Sequence, residues 1–211
     1  MNNIRRVMTL LLLMSFWLVA PAGGKLFITE IMSKSDHTDT AANGDWWELT
    51  NTGSSAVDLT GYSWDDEDNN PGTVVFETVI INADESIIIL DESSSNSPTW
   101  KSAWGLGSEV NVYDRSDLTN DLPGLGNGDT VYLYDADDNL VALATYAGHT
   151  DGFTNNWDTA GSFLGLSVNG VAGAYTSSGG DVGSPGFAVP EPGTTVLLAL
   201  GGLALRKKRG V

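Results

Sequence analysis

The 211-residue chain contains no cysteine. Disulfide staples, thiolate metal centres and a lipid anchor on an N-terminal cysteine are thereby excluded. Cations are scarce as well: ten Lys and Arg stand against 27 Asp and Glu, with two histidines, His37 and His149. Six of those ten cations, Arg5, Arg6, Arg206, Lys207, Lys208 and Arg209, sit near the two ends. Between residues 23 and 188 four cations face 26 acids, a net charge of −22. Phosphate binding needs a basic footprint, so nucleic acid is excluded as a partner and anionic lipid is disfavoured. Such a charge favours solubility and counter-cations. Sustained 3.6-residue amphipathicity is also missing from this middle region, which argues against a helical domain.

The two ends carry different information. Arg5 and Arg6 precede a nearly all-apolar stretch, Val7 to Val19, and Ala20-Pro21-Ala22 is a small-x-small cleavage site. That is the order of a secretory signal peptide, residues 1–22, with Gly23 as the first mature residue. At the other end Val189-Pro190-Glu191-Pro192 is followed by an apolar run, Thr194 to Leu205, and by Arg206-Lys207-Lys208-Arg209. Pro190 and Pro192 hold the approach to the run extended and accessible. The run enters a bilayer as a helix, and the four cations stay on the cytoplasmic side. Its 12 residues make roughly 18 Å of helix, short of the ~20 residues that span a bilayer. Gly201-Gly202 weakens the helix, while snorkelling Arg and Lys extend its reach.

This three-part order in residues 189–211 resembles a PEP-CTERM sorting tail. The resemblance implies an exosortase-like membrane transpeptidase as partner and transient membrane insertion through the tail. It also implies delivery to the cell envelope, surface or extracellular matrix of a Gram-negative-type bacterium. Exosortase systems are associated with exopolysaccharide production, so exopolysaccharide and other surface proteins are the implied neighbours.

Residues 23–188 read as one domain built of strands. Leu26 to Ile31, Trp46 to Thr50, Val57 to Leu59, Gly61 to Trp64 and Thr73 to Phe76 are short and β-rich. Ser86 to Leu90 is a continuous Ile-rich run of buried-strand length. Val110 to Tyr113, Thr130 to Tyr134 and Leu140 to Tyr146 follow, the last two joined by a hairpin loop, Asp135 to Asn139. Ser93 to Pro98 reads as a polar loop, and Thr176 to Gly186 as a Gly/Ser-rich approach to the tail. Short strands with Gly, Asn and Asp turns predict a β-sandwich, nearly free of helix.

Ile28-Thr29-Glu30-Ile31, Gly44-Asp45-Trp46-Trp47-Glu48-Leu49-Thr50-Asn51 and Ala56 to Trp64 resemble, in order and spacing, the bacterial lamin-tail domain. Gly128 to Asp135 and Gly183-Ser184-Pro185-Gly186 resemble it too, and residues 93–126 less so. The resemblance implies an all-β, immunoglobulin-like sandwich with no general enzymatic activity and no universal ligand. An exported, structural or adhesive role follows from it.

The candidate residues are few. Alternation puts Trp47 and Leu49 on one face of their strand and Trp46 and Glu48 on the other. Glu30 and Glu48 are acids inside strands, and are expected to cap backbone amides or to pair with Lys25 or Lys34. Paired carboxylates can hydrolyse glycosides, which leaves a carboxylate-dependent hydrolase as a remote alternative. No constellation meets the positional tests of an active site, so no catalytic residue is assigned. Asp65, Asp66 and Asp68 offer hard oxygens for calcium. Asp66, Asp68, Asn70 and Glu77 even fall at EF-hand ligand positions, but Pro71 replaces the turn glycine and strands replace the helices. The favoured expectation there is a solvated acidic loop, with no metal or other cofactor. Trp100 and Trp104 are the candidates for stacking on carbohydrate if they face solvent.

Overall fold

Trp46-Trp47-Glu48-Leu49 organises the sandwich, because each face of its strand carries a tryptophan and both must be covered. The computed structural model describes residues 25–66, 69–119 and 122–191. Its elements begin with β1 (Leu26–Met32), β2 (Trp46–Asn51), β3 (Val57–Asp58), β4 (Ser63–Asp65), β5 (Val74–Val75), β6 (Ile80–Ile81) and β7 (Ser86–Leu90). A short helix α1 (Ser97–Ala103) follows, then β8 (Asn111–Tyr113), β9 (Asp129–Tyr134) and β10 (Leu140–Tyr146). The last are β11 (Asn155–Trp157), β12 (Phe163–Leu166), β13 (Tyr175–Thr176) and β14 (Val182–Gly183).

Two sheets face each other, as expected of an immunoglobulin-like sandwich. The large one runs β12-β11-β1-β2-β7-β8 and the small one β10-β9-β4-β5. Two-stranded ladders β3-β6 and β13-β14 flank them. All pairings within the sheets are antiparallel except β7 with β8. The core between the sheets takes Ile28, Ile31, Trp47, Leu49, Ile87 and Ile89 from the large sheet and Trp64, Val131, Leu133 and Ala144 from the small one. Trp47 meets Trp64 edge-on at 5.5 Å and Phe76 at 6.5 Å, the arrangement that aromatic quadrupoles favour.

Trp46 points the other way, into a second apolar cluster with Met32, Ile88, Leu90, Trp100, Trp104 and Val110. Its cover is α1, which the sequence reading assigned in part to a polar loop. Trp100 in the helix and Trp104 at its C-cap stand four residues apart and fall on one side, with edge-on contacts to Trp46 at 5.6 and 5.7 Å. Pro98 in the first turn loses no helical hydrogen bond, so Ser97 can open the helix. The two tryptophans are therefore buried at 0% and 2% exposure, and the expectation that they face a ligand is corrected.

Other differences are local. The strand expected from Gly61 begins at Ser63; Gly61 has φ +81° and makes the turn before it. The stretch from Thr176 to Gly186 is no free linker: Tyr175 pairs with Gly183 and Thr176 with Val182. The sequence reading placed no strand after Tyr146, yet β11 sits inside the large sheet, between β12 and β1. Among the described residues no helix is long and apolar enough to cross a membrane. The apolar run 194–205 and residues 1–22, expected to be a signal peptide, lie outside them.

Trp100→Ala should cost about 3–5 kcal/mol, the usual price of emptying a packed aromatic site, whereas Leu143→Ala, at a side chain 50% exposed, should change stability by about 0.5 kcal/mol or less. Denaturant midpoints of the two variants decide it, and near-equal midpoints would contradict the buried cluster.

Candidate functional site

The outer face of β2 carries, beside Trp46, a carboxyl group buried at a desolvation cost, Glu48. A register shift between Ile28 and Glu30 in β1 sets Glu30 directly across from Glu48. Both are buried, at 1% and 0% exposure. The same shift turns Thr29 outward, where its Oγ1 donates to Glu48 Oε1 at 2.6 Å. Cross-strand partners on one sheet face lie about 4.5–5.5 Å apart at Cβ, so two acids here repel if both are ionised.

The lid over this pair is the segment that leads out of the domain. Ser184 N donates to Glu30 Oε1 at 2.8 Å and its Oγ to Oε2 at 3.1 Å. Thr154 Oγ1 donates to Glu30 Oε1 at 2.6 Å, and Gly186 N to Glu48 Oε2 at 2.7 Å. A Cβ on Gly183 would stand 2.8 Å from Glu30 Oε1, and one on Gly186, where φ is +85°, 2.7 Å from Val110 Cγ2. These two glycines let the strap lie flat on the carboxylates. The expectation of amide capping holds for both acids, and the partners are amides and hydroxyls rather than lysines.

Burial is the main cause that pushes Glu30 up to about 8, reinforced by the neighbouring Glu48 and opposed by its hydrogen bonds to Thr154 and Ser184. Burial likewise pushes Glu48 up to about 7, against hydrogen bonds from Thr29, Gly186 and Phe187. The pair therefore keeps a proton at neutral pH, which relieves the repulsion. Both carboxylates are sealed beneath the strap, so the arrangement works as a latch on residues 184–187.

Beyond the strap the chain stays attached. Val189 forms a bridge with Asp158, and its carbonyl accepts the Thr159 amide at 2.9 Å. Glu191 N donates to Thr159 Oγ1 at 3.1 Å. Val189, Pro190 and Glu191 of the sorting motif are thus placed on the domain, and Pro192 and Arg206 to Arg209 lie outside the described residues.

The acidic loop is less open than its composition suggests. Asp65 is 3% exposed and accepts the Asn70 amide at 2.8 Å. Gly72 N donates to Ser63 Oγ at 2.8 Å, closing the Pro71-Gly72 turn. Asp66 is half-buried, and Asp68 lies outside the described residues. Among the described residues no group of three or more His, Cys, Asp or Glu side chains is arranged to hold a metal ion.

A polar cluster that sequence reasoning missed surrounds His37, 5% exposed. Its Nε2 lies 2.7 Å from Ser177 Oγ and 3.6 Å from Asp181 Oδ2, which also accepts from Ser35 Oγ at 2.6 Å. His37 and Asp39 border a surface cleft of about 480 Å³ with Pro98, Ser102 and Gly179. Serine and aspartate approach the same ring nitrogen, whereas a nucleophile–base–orienter relay needs them on opposite ones. The cluster pins the 35–37 segment to the β13–β14 turn. Its members stand some 140 residues apart, and no local signal joins them.

A family model described as Lamin Tail Domain matches residues 19–148, and one described as PEP-CTERM protein-sorting motif matches residues 188–209. No match was found among curated proteins.

The raised carboxylates make a signed prediction. In the fold they hold protons that the unfolded chain has released above its ordinary carboxylate pKa near 4.5. Stability from this pair is therefore full below about pH 4.5 and is lost as pH rises through about 7 to 8, at up to about 1.4 kcal/mol per pH unit for each group. Asp45, pushed up to about 7 by burial and by Asp91, adds to the slope in the same window. Glu30→Gln should flatten the fall between pH 5 and pH 8.5 without abolishing it, leaving the variant more stable than wild type at the alkaline end. Urea midpoints across that range test this; an unchanged slope would assign the titration elsewhere.

Proposed function

The chain belongs to the lamin tail domain family, and from that premise we propose that it is a non-catalytic β-sandwich displayed outside the cell by a sorting step acting on its C-terminal tail. The match to a PEP-CTERM sorting motif marks it as a protein exported to and anchored at a bacterial cell envelope. The observation that carries the reading is the junction. The strap over Glu30 and Glu48 runs directly into Val189-Pro190-Glu191, which stay attached to the domain, and the sorting-motif match begins at residue 188. Folded domain and signal meet with no intervening linker. An exosortase-type transpeptidase is the partner that this signal addresses. The finer role is structural or adhesive, at the surface or in the extracellular matrix, with exopolysaccharide as a neighbour. Burial of Trp100 and Trp104 takes away the aromatic pair on which a carbohydrate-stacking alternative rested.

The mature species should start near Gly23 and lack Arg206 to Arg209. Intact-mass analysis of envelope and secreted fractions reads both ends at once. A dominant cytoplasmic species that retains the basic cluster would overturn the sorting step.

A further inference from the structure

We propose that the uncharged apolar face made by β12, the 168–174 loop and Phe187 rests on a lipid bilayer while the chain is held there by its C-terminal tail. The proposal rests on the sorting-tail reading above and adds the orientation of the domain and the surface that sets it.

Charge is the first observation. No Asp, Glu, Lys or Arg occurs from residue 159 to residue 180, in a domain whose net charge is −22. Exposure is the second. Phe163, Leu164, Leu166, Val168, Val171 and Phe187 are each between 42% and 57% exposed. Leu164, Leu166, Val168 and Val171 form, with Val189, a groove of about 160 Å³ at the free edge of the large sheet. Single exposed apolar residues need no explanation, but a contiguous group without charge marks a contact surface.

The third observation is where the chain leaves the fold. Val189, a wall of that groove, is followed by Pro190 and Glu191, which line a neighbouring cleft of about 870 Å³ together with Lys25 and Phe187. The first and last described residues, Lys25 and Glu191, therefore lie at the same end of the domain. The apolar run begins at Thr194, three residues past Glu191, and extended chain covers at most about 3.6 Å per residue. A bilayer that takes up the run must come within roughly 10 Å of Glu191, and Val189, two residues earlier, borders the uncharged groove. Zwitterionic lipid accepts these side chains at no charge cost, while the acids elsewhere on the domain keep its other faces off anionic headgroups. A second copy fits the face less well. The register shift opposite Gly165, where φ is +106°, interrupts the β12 edge, and two domains of charge −22 repel.

The missing cysteines make the test clean. Val171→Cys and Thr145→Cys, the latter on the outer face of the small sheet, are each labelled with an environment-sensitive fluorophore in the chain from Gly23 to Val211, which keeps the tail and lacks the apolar stretch Val7 to Val19. Each is mixed with phosphatidylcholine vesicles containing brominated lipid. The label at 171 should shift to the blue and be quenched by the bromine, while the label at 145 should do neither. Adding Leu164→Asp with Leu166→Asp should return the 171 label to water while the chain still floats with the vesicles. Flotation with the 171 label in water throughout would overturn the proposal and leave the tail reading standing. A blue shift that needs no vesicles and grows with protein concentration would assign the face to a second copy and overturn it as well. Failure to float, or flotation unaffected by Leu197→Asp with Leu198→Asp, would overturn the tail reading and this proposal with it.

Discussion

A β-strand with a tryptophan on each face needs cover on both, and β2 imposes that demand on the whole domain. Its inward face, Trp47 and Leu49, is met by the small sheet. Its outward face holds Trp46 and Glu48, and these ask for opposite environments. The chain answers with two devices laid side by side. The helix α1 brings Trp100 and Trp104 onto Trp46, and the strap from Gly183 to Gly186 brings amides and hydroxyls onto Glu48 and its neighbour Glu30. Without either cover, a tryptophan or a carboxylate pair would sit on an open sheet face.

The carboxylate pair links this packing to the tail. A buried acid is costly unless its oxygens are hydrogen-bonded, and here part of that bonding comes from the last segment before the sorting motif. Docking of residues 184–187 is therefore coupled to completion of the sheet beneath. One consequence concerns export without covalent staples. In a cysteine-free protein the C-terminal strap is fastened by amide and hydroxyl donors to two buried carboxyls whose protonation changes with pH, so its strength follows pH rather than redox state. The family match ends at residue 148, while β11 to β14 and the strap lie beyond it. That later portion supplies the donors Thr154, Ser184 and Gly186 to acids in the matched portion.

Charge has an equally uneven distribution. Residues 159–180 carry no charge of either sign in this acidic domain, and that stretch adjoins the point where the chain passes into the sorting signal. An acidic surface keeps exported copies soluble and apart. The uncharged face beside the tail gives such a molecule a side on which close approach to an apolar surface carries little electrostatic cost.

The strand-rich sandwich, the C-terminal sorting motif and the opposite destinations of Trp46 and Trp47 were legible in the sequence. Each depends on a period of two or on the order of short segments, which local residues determine. The amide capping of Glu30 and Glu48 was legible for a related reason: a strand acid has few alternatives to donors brought from elsewhere. What covers the outer face was decided only in three dimensions. Trp100 and Trp104 have the four-residue spacing of a helix face, but a seven-residue helix after a polar loop gives too short a pattern to separate from a loop. β11 is three polar-leaning residues, Asn155-Asn156-Trp157, and becomes a central strand because β1 leaves its edge open to it. The facing of Glu30 and Glu48 needed a one-residue register shift in β1. Pairing register is set by partners distant in the chain, and no alternation inside either strand encodes it.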